Sequence, residues 1–144
     1  MVFGKTNATS LTLGTNGSIA AADGFRLTGA VNDYAGFSVS GAGDVNGDGL
    51  ADVIVSANGA LTTGDGAAYV ILGGATGGDM NALVTAGKGF KITGLTNSTG
   101  FHLGTSVSSA GDVNGDGYAD LIVATDADQT YTAAYVVYGG ATPT

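Results

Sequence analysis

The 144-residue chain has no cysteine, no glutamate, one proline and one histidine. Without cysteine there are neither disulfides nor thiolate metal sites, although a secreted protein can manage without either. The lone histidine, His102, rules out a histidine trio for a metal within one chain. A Ser–His–Asp triad would have to use that one residue, and no serine sits in a Gly-x-Ser-x-Gly elbow. Beside Phe101, His102 is expected to pack or to lie at the surface. Cations are scarce too, three lysines and one arginine against twelve acidic residues, all of them aspartate. The resulting net charge of −8 argues against nucleic acid and anionic membrane as partners. No run approaches the roughly eighteen apolar residues of a membrane span, and nothing near Met1 resembles a signal peptide. Met1 is followed at once by a strand-like VFG, so the sequence is expected to belong to a longer natural chain.

What is present is glycine, 27 residues of it, in a chain that is 44% hydrophobic and only 11% charged. That much glycine without a triplet period implies many tight turns between short strands. The decapeptide GDVNGDGLAD at 43–52 returns as GDVNGDGYAD at 111–120. Residues 38–52 align with 106–120 at 13 of 15 positions. The similarity extends outward, GFRLTG (24–29) matching GFKITG (89–94) and AAYVILGG (67–74) matching AAYVVYGG (133–140). A third partial copy opens the chain, where VFGKT (2–6) resembles ILGGAT (71–76). A long period with matched strands and turns predicts a repeat architecture.

Each unit reads as four short strands, in FSVSGAG, ADVIVSA, AAYVILGG and the alternating, Gly-bounded GFRLTG. The second and third are continuously apolar, which requires burial on both faces rather than one wet face. Radially stacked blades provide that, and the small residues of FSVSGAG suit a crowded innermost strand. One helical turn is expected, at MNALVTAG (80–87). The fold class is therefore all-β: four-stranded antiparallel meanders forming β-propeller blades, about two per chain.

The repeated decapeptide carries the chemistry. With Asp44 as position 1, oxygen side chains fall at odd positions: Asn46 at 3, Asp48 at 5 and Asp52 at 9. Gly49 allows the sharp turn at position 6, and the Leu50 carbonyl is available at position 7. The second loop repeats the set with Asp112, Asn114, Asp116, the Tyr118 carbonyl and Asp120. A hard, all-oxygen nest with three carboxylates suits Ca²⁺, one ion per loop and two per chain, better than Mg²⁺ with its stricter octahedron. Position 12 is Val55 or Val123 and a strand follows, so neither loop is an EF-hand, nor is either of the dockerin type. A plain Asn-Gly or Asp-Gly hairpin would need neither three carboxylates nor an aspartate at position 9.

These residues, GFSVSGAGDVNGDGLADVIVSA and GTSVSSAGDVNGDGYADLIVAT, resemble FG-GAP repeats, the blade units of integrin α-subunit propellers that also occur in bacterial surface and secreted proteins. The resemblance implies that each Asp-x-Asn-Gly-Asp-Gly-x-x-Asp loop joins the first two strands of a blade and holds Ca²⁺. It also implies an extracellular or cell-surface setting. The Phe-Gly signature is loosely kept as Gly36-Phe37 and Gly104-Thr105. Its Gly-Ala-Pro half becomes Ser56-Ala57-Asn58 and Ala124-Thr125-Asp126.

Residues 1–29 are then a partial blade with outer strands 3 and 4, and 30–94 a complete blade. Residues 95–144 form a blade lacking its outer strand. A homo-oligomer sharing blades between subunits is expected, a trimer with six blades or a tetramer with eight, with VFGKT or AAYVVYGG left surplus. The function expected is a structural or adhesive calcium-binding module with no enzymatic role and a protein or glycan ligand. A carbohydrate-binding or catalytic propeller using the loops 57–66 and 125–132 is the alternative. The spare pair Asp126 and Asp128 is expected in a solvated hairpin. Glycosylation patterns at Asn7, Asn16 and Asn97 are of a kind common by chance.

Overall fold

A computed structural model describes residues 15–59, 65–94, 102–125 and 132–141. The opening VFGKT, the Asn7 and Asn97 patterns, Phe101, Asp126, Asp128 and the centres of loops 57–66 and 125–132 lie outside them.

Among the described residues, nine short strands and one α-helix follow one another. They are β1 (Leu27–Thr28), β2 (Ala35–Gly43), β3 (Asp52–Ala57), β4 (Ala67–Ile71), β5 (Gly78–Asp79), α1 (Met80–Thr85), β6 (Gly89–Thr93), β7 (Ser106–Gly111), β8 (Asp120–Ala124) and β9 (Ala134–Val137). Two antiparallel meanders dominate, β2-β3-β4-β6 and β7-β8-β9. The all-β reading holds, and the sheets are those expected of propeller blades.

The apolar runs behave as their lack of alternation requires. All five residues of β4 are buried, and β3 is buried along nearly its whole length. One face of the first sheet carries Ile54, Ala68 and Val70, which pack on Val107, Leu121 and Val123 of the second. Its opposite face carries Val55, Tyr69 and Ile71, covered by Met80 and by Leu27, Leu83 and Val84. The glycine and serine of β2 let β7 lie beside it, where the Val107 N–H donates to Ser38 Oγ at 3.1 Å. A Cβ on Gly43 would stand 2.6 Å from the Ala119 Cβ, so this crossing tolerates only hydrogen there.

The helical turn forms at 80–85 as expected. Asp79 caps it by accepting the Ala82 N–H, and the buried Tyr69 hydroxyl donates to Asn81 Oδ1 at 2.8 Å. Within GFRLTG only Leu27–Thr28 is extended, and it pairs in parallel with β5. The matching GFKITG instead forms β6, the antiparallel edge of the first sheet.

Candidate functional site: the two aspartate loops

Residues 44–51 join β2 to β3 and residues 112–119 join β7 to β8. Both loops follow an irregularity in the strand register, between Gly41 and Gly43 and between Ser109 and Gly111. The chain then curls around the first aspartate. Asp44 Oδ1 accepts the N–H groups of Gly47 and Asp48 at 2.7 and 3.1 Å, and its Oδ2 accepts that of Gly49 at 2.8 Å. Such a curl needs left-handed backbone at Gly47 and Gly49, with φ of 76° and 84°.

Asn46 Oδ1 accepts the Asp48 N–H, and its amide donates to Asp48 Oδ2 at 2.9 Å. Asp48 Oδ1 accepts the Leu50 N–H at 2.8 Å. Those two bonds, the Asn46 amide first, hold the Asp48 carboxyl below its ordinary pKa. The second loop reproduces each contact within 0.1 Å. Asp112 gathers Gly115, Asp116 and Gly117, Asn114 bridges to Asp116, and Asp116 accepts the Tyr118 N–H.

Position 9 behaves differently. Asp52 and Asp120 are buried at the starts of β3 and β8. Asp52 Oδ2 accepts the Val45 N–H at 2.8 Å and its Oδ1 that of Gly73 at 2.7 Å, just beyond β4. Asp120 does the same with Val113 and Gly139, at 2.8 and 2.9 Å. Each carboxylate thus ties its loop to the far end of the third strand. Burial pushes the Asp52 pKa up, the two N–H donors oppose the shift, and the negative charges of Asp48 and Asp44 add to it.

The sequence reading placed these aspartates in the ligand set but missed the brace. Its signal was present as the Gly-Gly pair that ends AAYVILGG and AAYVVYGG, at 73–74 and 139–140. Among the described residues, no group of three or more His, Cys, Asp or Glu side chains is arranged to hold a metal ion. His102 is half-buried, with a left-handed backbone at φ 39°, and precedes β7.

The FG-GAP repeat model matches residues 35–71 and 103–139, each span running from the first strand of a meander through the loop to the third strand. This chain belongs to the FG-GAP repeat family. It is also similar to integrin alpha-PS5 of Drosophila melanogaster, 43% identical over 97 residues, or 65% of this chain. The FG-GAP chain spans 9% of that relative's length.

Proposed function

We propose that this FG-GAP chain is a calcium-stabilised structural or adhesive propeller module, without enzymatic role, working outside the cell or at its surface. The integrin relative and the blade-like sheets support the adhesive class, while the donor chemistry of the two loops supports the metal. The observation that carries it is the arrangement of lone pairs. A carboxylate offers about four acceptor sites, and Asp44 uses three of them on N–H groups, Asp48 two and Asp52 two. Every carboxylate therefore keeps acceptor capacity while being held in place by the backbone, as an outer shell holds metal ligands.

Asp44, Asn46, Asp48, Asp52 and the Leu50 carbonyl would hold one Ca²⁺; Asp112, Asn114, Asp116, Asp120 and the Tyr118 carbonyl would hold the second. The ion would offset the mutual repulsion already felt at Asp52 and fix the first two strands of each blade. Where free Ca²⁺ exceeds the dissociation constant about a hundredfold, each site adds about 2.7 kcal/mol. That is substantial against a domain stability of roughly 5–15 kcal/mol. Thermal melting in EDTA and in excess calcium checks this, with a higher midpoint expected in calcium. Equal midpoints would remove the metal from the reading. In calorimetric titration the intact chain should show two sites and Asp48→Ala one.

A further inference from the structure

The internal stacking of the two sheets is head to tail, so the described residues present a second copy of each half of that contact, open at Val39 and Val136 although closed over Val55. The face of the first sheet that meets the second consists of Ile54, Ala68 and Val70. Its repeat counterpart on the second sheet is Ile122, Ala134 and Val136, of which Val136 is 47% exposed while Val70 is fully buried. The face of the second sheet that meets the first centres on Val107, which is 5% exposed; its counterpart on the first sheet, Val39, is 63% exposed. Val39 lies in an apolar groove of about 790 Å³ that is also lined by Ile19, Phe25, Leu27, Val53 and Val55.

We propose that a second copy of this chain seats the Ile122–Val136 face of its β7-β8-β9 sheet in the groove over Val39, repeating between molecules the contact made within one.

The finer contacts of the internal crossing each have an open counterpart. Internally the Gly140 N–H donates to the Val45 carbonyl and the Ala119 N–H to that of Asp44. The equivalent pairs between copies are Gly74 with Val113 and Ala51 with Asp112. Val45 is fully buried by that crossing and Val113 is 55% exposed. The Val107 N–H to Ser38 Oγ bond translates to the Val39 N–H and Ser106 Oγ. Sterics agree. A Cβ on Gly43 would meet Ala119 and one on Gly47 would meet the Tyr118 ring, whereas nothing lies within 4 Å of a Cβ on Gly111 or Gly115. Ala51 and Leu50 of the second copy are the side chains that fit over those two glycines. A second copy supplies all of these at one register, because the interlocking surface has already been built once. Head-to-tail contacts of this kind close into a ring when the rotation permits.

The test is light scattering on the full 144-residue chain in calcium-containing buffer, with the variants Val136→Glu and Val39→Glu. The expected result is a multimer whose mass falls to the 13.9 kDa monomer in each variant while the circular dichroism stays that of the parent. The absence of natural cysteine allows a second measurement. The double variant Val39→Cys with Ser106→Cys should form disulfide-linked multimers, and either single variant should not. A monomeric parent overturns the proposal. So does an oligomer that persists in both glutamate variants, or a double-cysteine variant that forms no linked multimers.

Discussion

Asp48 and Asp52 sit four residues apart in one loop, yet their carboxyls are pulled in opposite directions. Hydrogen bonds from Asn46 and Leu50 lower the first, and burial raises the second. With calcium chelated, carbon NMR should find Asp48 titrating below the ordinary value of 3.8 and Asp52 above it. The signs for stability follow. The contribution of Asp48 is present above its unfolded pKa and is lost as the pH falls through its lowered folded one. Asp52 instead binds its proton more tightly when folded, so it favours the folded state increasingly as the pH falls through its raised pKa. Reversed order of the two titrations would mean that the brace is not buried in solution. The same brace predicts a contrast in the second loop. Asp120→Ala strands the N–H groups of Val113 and Gly139 and should cost about 3 kcal/mol even in EDTA, since hydrogen bonds to a charged group contribute about 1.5–3 kcal/mol each. Asp116→Ala, at an exposed position, should be nearly silent in EDTA and abolish one calcium site. Urea melts of both variants with and without calcium read this directly.

Among the elements, the two β-hairpins with aspartate loops are set by their sequence almost alone, because every contact inside the curl spans five residues or fewer. Gly117 shows how strictly. Its φ is 92° and a Cβ there would meet nothing within 4 Å, so Gly117→Ala tests backbone conformation without a clash. It should destabilise the chain by about 1–2 kcal/mol and weaken calcium at the second loop only. A midpoint equal to the parent's would show that the curl relaxes. α1 was legible from MNALVTAG, since a short amphipathic run after a capping aspartate needs no distant partner to be recognised. β1 was not: GFRLTG and GFKITG are near-identical strings, but only the second has β4 beside it, and the first pairs through two residues with β5. Strand propensity cannot choose between those outcomes, because the neighbour supplies the hydrogen bonds.

For the whole molecule, the repeat makes equivalent residues carry unequal energies. Ile54 is fully buried between the sheets, whereas its counterpart Ile122 lies on the outer face of the second sheet and is only half-buried. Ile54→Ala should therefore cost about 3 kcal/mol by loss of packing, and Ile122→Ala clearly less in a monomer. Denaturation of the two variants side by side measures the difference. Equal costs would mean that the outer face is covered as fully as the inner one.

The sequence by itself determined the local structure of this FG-GAP chain: two glycine-turned aspartate loops, the strands flanking them and a capped helical turn. Each depends on short-range backbone preferences and on hydrogen bonds to near neighbours, which a repeated motif writes out in full. Tertiary structure alone decided that both faces of the first sheet are covered while the second sheet keeps an open face at Ile122 and Val136. It turned Asp52 and Asp120 into buried ties to Gly73 and Gly139, 21 and 19 residues away. It also left Val39 and Val136 open while closing over Val107 and Val70. Equivalent residues in matching strands diverge there because burial is a property of what lies opposite, and among the described residues each of the two large sheets has a different neighbour.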